Sequence, residues 1–274
     1  MRHGCALETR DDLNILFIGD VIGRPGRDAV AARLSELVRR HKIDFTIANA
    51  ENAAGGLGVT PAVADELLSA GVDCLTTGNH IWKHREFVPY ATTERRVVRP
   101  ANYPPGVPGR GSEVYAARGG SVGVLNVVGR VFMEALDCPF RAADREIEAL
   151  RGKTKVLVVD IHAEASSEKV ALGWYLDGRV GAAIGTHTHI QTADERILPK
   201  GTAYITDVGM TGPRDSVIGI KRDPVIERFL TGMPTRFEVA TGPVVLSGVV
   251  VAIDAETGNA RSIERVVELI EADE

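Results

Sequence analysis

Cysteine is scarce in this 274-residue chain: Cys5, Cys74 and Cys138 are odd in number, far apart and form no C-x-x-C pair. That pattern supplies neither a disulfide framework nor a thiolate metal motif, and it implies free thiols in a reducing, cytoplasmic setting. No base accompanies any of the three in sequence, so a cysteine nucleophile is not expected. Long apolar runs are missing too. None reaches transmembrane length, and the first, "NILFIG" (14–19), is short and follows acidic residues, the wrong flank for a signal peptide. No membrane partner is therefore expected. Basic excess is also absent, with 32 Lys and Arg against 37 Asp and Glu, a formal net charge of −5. Broad binding to a nucleic-acid backbone needs a basic surface and is excluded, whereas a small anionic substrate at a local site is not. The glycines of "GDVIGRPG" (19, 23 and 26) lack G-x-G-x-x-G spacing, so a dinucleotide-binding turn is not indicated. Neither an internal repeat nor a low-complexity linker interrupts the chain.

What is present is a series of short apolar runs rich in β-branched residues: "NILFIG" (14–19), "DFTIANA" (44–50), "VDCLTTG" (72–78), "SVGVLNVVG" (121–129), "KVLVVDIHA" (155–163), "VGAAIGTH" (180–187) and "TAYITDVG" (202–209). Nearly continuous apolar character over such lengths reads as strands buried on both faces of a sheet. Helical patterns lie between several of them. Residues 26–41 place Val30, Leu34, Leu37 and Val38 on one stripe. Pro61 and Pro224 suit the first turns of following helices. "SSEKVALGWYL" opens with serines able to cap and a glutamate suited to a first turn. The tail from 242 onward reads as two long strands joined by the "AETGNA" turn, a hairpin. The proline-rich "RPANYPPGVPGRG" (99–111) reads as a loop joining two halves. The length fits one large α/β domain or two small ones, and the order of elements predicts α/β layers with mixed sheets.

The chemistry concentrates where these runs stop. The first ends at Asp20, the second runs into Glu51 and Asn52, and the third ends at Asn79 and His80. Later runs end at His162 and at "GTHTH", with His187 and His189. If that segment is extended, His187 and His189 point the same way, as residues i and i+2 of a strand do. Carboxyl ends of strands are where ligands bind in open α/β sheets. Gly19, Gly78 and Gly185 beside them would let the backbone turn sharply and approach a ligand. Asp20, Glu51, Asn52, Asn79, His162, His187 and His189 make seven candidate ligands, more than the three that a single catalytic zinc commonly takes. Two ions roughly 3.5–4 Å apart, sharing a carboxylate, suit that number better. Oxygen and imidazole donors without thiolate fit iron, manganese or zinc rather than calcium.

The series GD…NAEN…GNH…H…GTHTH resembles the calcineurin-like metallophosphoesterases. It departs from their general pattern in two places: "DVI" replaces D-x-H at the first strand, and "NAENAAGG" replaces G-D-x-x-D at the second. Those departures, with "FIGDVIGRPGRD", "TTGNHIW", "VRPANYP", "HAEASSEKVALGWYLDGRV", "GTHTHIQTADERILPKGTAYITDVGMTGP" and "LSGVVVAID", are similar to the bacterial YmdB-like subgroup. The resemblance implies a four-layer α/β/β/α sandwich with two mixed sheets, formed by residues 14–270 as a single domain after an N-terminal extension, 1–13. It assigns Asp20, Asn52 and His189 to one metal and Asn79, His162 and His187 to the other, with Glu51 bridging and His80 as proton donor. It further implies two metal ions, iron or manganese first and zinc as the alternative, and a cytoplasmic hydrolase acting on 2′,3′-cyclic nucleotides or related phosphodiesters by a hydroxide held between the metals. Two divalent ions, two carboxylates and one hydroxide leave a single net positive charge, complementary to a phosphodiester monoanion. Homo-oligomerisation is left open.

Other residues carry competing readings. Arg24, Arg130 and Arg179 are candidate phosphate clamps, although exposed arginines are usually just solvated. Glu164, two residues beyond His162, either supports a ligand or favours a nearby helix start. Trp82 and Trp174 read as core residues rather than base-stacking platforms, and His3, His41 and His84 as solvated or loop histidines. A regulatory or scaffold protein, using the metal site to sense a ligand, is the alternative to an enzyme. The presence of every proposed ligand together with His80 favours the enzyme.

Overall fold

The computed structural model describes residues 12–271, and its strands and helices alternate for most of the chain. The first half contains β1 (Asp12–Ile18), β2 (Asp20–Val21), α1 (Gly23–Arg40), β3 (Phe45–Asn49), α2 (Pro61–Ser69), β4 (Cys74–Thr76), α3 (Phe87–Thr93) and β5 (Val97–Val98). The middle contains β6 (Ser112–Ala117), β7 (Gly120–Val128), α4 (Pro139–Arg151), β8 (Val156–His162), α5 (Ser166–Leu176), β9 (Ala182–Thr186), β10 (Arg196–Ile197) and β11 (Ala203–Ile205). The last quarter contains β12 (Met210–Pro213), α6 (Arg222–Thr231), β13 (Val244–Asp254) and β14 (Ala260–Ile270). β1 begins two residues inside the stretch set aside as an extension, because Asp12 and Leu13 pair with Asp254 and Ile253. The remainder of that extension, with His3 and Cys5, lies outside the described residues.

Alternating side chains sort these elements into four layers. Leu13, Ile15 and Phe17 of β1 face a central apolar layer with Val122 and Val124 of β7 and Val156 and Val158 of β8. Leu16 and Ile18 turn the other way, onto Val30, Leu34 and Leu37 of α1 and Leu67 of α2. On the far side, Leu125, Val127, Leu157, Val159 and Ile161 pack against α4 and α5 through Ala142, Ile147, Leu172 and Leu176. Each strand position thus serves one of two interfaces, which is why the runs read as continuously apolar. Each such buried Val, Leu, Ile or Phe contributes about 1.5–3 kcal/mol. The result is the expected α/β/β/α sandwich. One sheet has the order β2-β12-β13-β1-β3-β4-β5, with β14 on β13, and the other has β10-β11-β9-β8-β7-β6. Both are mixed: β1 runs parallel to β3 and antiparallel to β13, and β8 runs parallel to β7 and β9 while β6 opposes β7. The proline-rich loop 99–111 carries the chain from β5 in the first sheet to β6 in the second.

Several local expectations hold and others shift. Pro61 is the first residue of α2, which Thr60 caps by accepting the Val63 N–H. The terminal hairpin forms over 11-residue strands. The serines opening α5 do not cap it. Glu168 in its first turn is instead buried and accepts the N–H groups of Arg130 (3.0 Å) and Val131 (3.1 Å). Trp82 packs on the core edge-to-face with Tyr103. Trp174 does not belong to the core: it is half exposed on α5, with the Arg196 guanidinium 5.6 Å from its ring centre. No helix among the described residues is long and apolar enough to cross a membrane.

Candidate metal centre

Because β1, β3 and β4 are parallel, their carboxyl ends lie at one edge, and β8 and β9 end there too, with His162 and Thr186 in register. Residues just past these ends are brought together from both sheets. Glu51 stands at the middle and is fully buried. Its Oε1 lies 3.0 Å from His162 Nε2, 3.2 Å from Asn52 Nδ2, 3.4 Å from His80 Nδ1 and 3.9 Å from His187 Nδ1. Its Oε2 accepts the His80 backbone N–H at 3.2 Å, and its own N–H donates to Asn49 Oδ1 at 3.0 Å. His162 Nε2 also sits 3.0 Å from His187 Nδ1 and 3.2 Å from Asn79 Oδ1. Asp20 closes the far side, with Oδ2 accepting the His187 N–H at 3.1 Å and Oδ1 3.8 Å from His189 Nε2. All seven candidate ligands and His80 therefore converge.

Each of the three histidines has one ring nitrogen engaged outside the cluster. His162 Nδ1 lies 2.8 Å from Thr186 Oγ1, and that hydroxyl donates to Asp160 Oδ1 at 2.7 Å, so it accepts from the ring. His187 Nε2 lies 3.1 Å from Glu164 Oε2, and His189 Nδ1 lies 3.1 Å from the Ile218 carbonyl. With those nitrogens protonated, the other nitrogen of each ring turns its lone pair inward. Imidazoles backed by carboxylate, hydroxyl or carbonyl acceptors in this way are typical of metal ligands.

Electrostatics points the same way. Buried Asp20 Oδ1 has no hydrogen-bond partner among the described residues. Burial, with Asp207 and Glu51 nearby, pushes the Asp20 carboxyl up to about 8, the mark of negative charge lacking a neighbouring cation. Burial pushes His162 down to about 4, which keeps it in the neutral, ligating form. Inward lone pairs, an unpartnered carboxylate oxygen and two facing carboxylates form a donor set suited to a cation. Glu51, His162 and His187 in particular each offer an atom within 4.8 Å of the others.

The backbone reaches this arrangement differently from the sequence expectation. His187 and His189 are not extended; their φ angles are +92° and +66°, so left-handed backbone, not strand alternation, brings the two rings to one site. Such conformations cost roughly 1–3 kcal/mol each and persist only where the surroundings impose them. Gly19, Gly78 and Gly185 lie outside the left-handed region and act by close packing. A Cβ on Gly78 would fall 2.1 Å from Glu51 Oε2 and 2.3 Å from His162 Nε2, and one on Gly185 would fall 1.7 Å from the Thr206 carbonyl oxygen.

Sequence reasoning missed the groups around the ligands. Asp160 accepts from Thr186 and, at 2.9 Å, from Asn49 Nδ2. The signal was present, since Asp160 is a lone carboxylate in an apolar run, two residues before His162 and therefore on its face. Buried Lys169 pairs with Asp207 at 2.7 Å and donates to Thr188 Oγ1 at 3.1 Å, between the two histidines. Nothing local in sequence marks that pair. The three candidate clamp arginines are elsewhere: Arg24 pairs with Asp28 on the surface, Arg130 reaches Cys138 and Arg179 pairs with Asp144. Asn52 presents its amide oxygen to His80 Nδ1 at 2.9 Å and its nitrogen to His189 at 3.2 Å, so ligation through oxygen on the His189 side requires the amide to turn over. Above the cluster opens a cavity of about 360 Å³, walled by Ile22, Ile218 and Ile220, with Glu164 at its solvent side.

Residues 16–266 match the family described as YmdB-like protein. A Bacillus subtilis (strain 168) protein named 2′,3′-cyclic-nucleotide 2′-phosphodiesterase is 51% identical over 255 residues, 93% of this chain and 97% of that protein. Among solved structures, a hypothetical protein from Thermus thermophilus superposes with a TM-score of 0.88 at 45% identity, covering 95% of this chain and all of that one. A phosphatase from Mycoplasma pneumoniae superposes with a TM-score of 0.89 at 34% identity, covering 95% of this chain and 94% of its own.

Proposed function

Since the chain belongs to the YmdB-like family, we propose that it is a metal-dependent phosphodiesterase that hydrolyses 2′,3′-cyclic nucleotides or closely related phosphodiesters, with residues 14–270 acting as one catalytic domain. The observation that carries this reading is the convergence of seven oxygen and imidazole donors, buried Glu51 at their middle, beneath an open cavity. The relative at 51% identity supports the choice of substrate class. Asp20, Asn52 and His189 hold one ion, Asn79, His162 and His187 hold the second, and Glu51 is shared. The donor set suits iron or manganese, with zinc as the alternative. Ions bound there supply Lewis acidity toward a phosphoryl oxygen and make a water-derived nucleophile available at neutral pH.

The chain's own residues do the rest. Glu51 and Asp20 set the charge of the site, and the acceptors behind the three histidines fix their tautomers. His80 lines the cavity with its ring about a quarter exposed. Its Nδ1 faces the Asn52 amide oxygen and so donates to it, and the proton for transfer is the one on Nε2 of the doubly protonated ring. As one ester P–O bond breaks, that proton goes to the departing ribose oxygen, a contribution typically worth about 10²–10⁴-fold in rate. The isoleucine wall offers an apolar surface for the sugar or base. Purified protein supplied with manganese or iron, assayed on 2′,3′-cyclic AMP with chromatographic identification of the nucleotide product, tests the proposal. Turnover that vanishes on chelation and returns with metal is expected. Binding of the cyclic nucleotide without turnover would assign the site to ligand sensing instead.

A further inference from the structure

The cavity above the cluster is unusual for one that receives a phosphate: among the described residues, no Lys or Arg lines it. Phosphate sites commonly use such cations. Of the arginines that sequence offered as clamps, Arg24 and Arg179 pair with carboxylates and Arg130 reaches Cys138, and Lys169, which donates to Thr188 between two of the histidines, is 1% exposed and bound to Asp207. Among the described residues, the one charged lining side chain outside the proposed ligand set is Glu164, an acid. It stands half exposed on the loop between β8 and α5, with only one of its carboxylate oxygens, Oε2, on His187.

We propose that Glu164 determines the charge class of the substrate, disfavouring a phosphate monoester dianion and so favouring the monoanionic diester. This rests on the phosphodiesterase reading above and adds to it the residue that separates the two classes. A site with two carboxylates among its ligands and a third on its wall has little positive potential to spare beyond what one negative charge needs. A monoester carries up to one further negative charge on the phosphate, and a carboxylate at the cavity wall repels it. The diester lacks that charge and is affected much less. Discrimination of this kind works by placing a like charge against the wrong ligand, without a new contact to the right one.

Glu164→Gln is the discriminating variant, because an amide oxygen still accepts from His187 Nε2 while the charge is gone. Two readouts are compared with wild type on protein with measured metal content, at about pH 8, where a monoester is dianionic. One is the ratio of kcat/KM for bis-p-nitrophenyl phosphate to that for p-nitrophenyl phosphate. The other is the calorimetric Kd of inorganic phosphate. The expected result is a fall of about tenfold in the ratio and a comparable tightening of phosphate, the size of one charge contact at a half-exposed position, both shrinking as salt is raised. Glu164→Asp, which keeps the charge, should stay on the wild-type side of both comparisons. An unchanged ratio and unchanged phosphate affinity overturn the proposal. So does loss of metal from Glu164→Gln, which would make Glu164 a support for His187 and no more. If wild type turns over neither ester, the phosphodiesterase reading fails, while phosphate affinity still decides the role of Glu164.

Discussion

The two walls of the site bring different chemistry. The first-sheet wall, just beyond β1, β3 and β4, brings oxygen and amide groups: Asp20, Glu51, Asn52 and Asn79, with His80 beside them. The second-sheet wall, at and beyond the ends of β8 and β9, brings three imidazoles. Polar groups of the first wall bond largely to one another, Asn52 to Glu51 and to His80. On the second wall each ring is backed from outside, by Thr186, Glu164 or the Ile218 carbonyl. The first wall therefore sets charge and the second sets geometry. Loss of charge should fail abruptly, whereas loss of backing should weaken the site by degrees.

The largest effect is expected from Glu51→Gln. Its carboxylate faces both halves of the cluster, so the variant should lose most of its metal and its turnover, more severely than Asn52→Ala, which removes a neutral donor on one side only. Elemental analysis beside a diester assay checks this, and a fully loaded, active Glu51→Gln would break the division between the walls.

Next comes His80→Ala, which should keep its metal and lose up to about 10²–10⁴-fold on 2′,3′-cyclic AMP. It should lose far less on bis-p-nitrophenyl phosphate, whose leaving group departs without a proton. Equal losses on the two substrates would assign His80 to positioning, and loss of metal would make it a ligand.

On the other wall, Thr186→Val removes the acceptor behind His162 and leaves the hydrogen-bonding capacity of Asp160 partly unmet. Metal affinity should fall about 10–100-fold, as it does when such outer partners are lost. Competition with a fluorescent chelator measures it, with the circular dichroism spectrum as the control for folding. Smallest of all should be Arg24→Ala: its guanidinium is exposed and pairs with Asp28 on the surface, so KM for the diester should not move.

The cluster of candidate ligands was legible because each is a polar residue that ends an apolar run. A buried strand terminating in Asp, Asn or His has few structural reasons to do so, and five such ends were enough to predict that these residues converge. Mixed α/β layering was legible from the same runs, and its count of four layers came with the family resemblance. Tertiary pairing was not. Lys169 and Asp207 lie 38 positions apart, and only the packing of α5 beside β9 makes them partners. The His-Thr-His geometry was misread because its two positive φ angles are imposed by surroundings, among them Asp20 on the His187 N–H and Asp207 on the Thr188 N–H, with no local turn signal such as glycine at either histidine. Sequence could not say which of the three arginines already has a carboxylate partner; Arg24 and Arg179 do, and Arg130 reaches Cys138 instead. Short strands such as β10 and β12, of two and four residues, carry too little pattern to be seen alone.

The central claim is that Glu51 joins the two walls by serving two ions at once. Anomalous scattering from crystals grown with manganese tests it most directly. Two peaks are expected on either side of the Glu51 carboxylate, one against Asp20, Asn52 and His189 and the other against Asn79, His162 and His187. A single peak, or peaks that leave Glu51 without contact to metal, would contradict it.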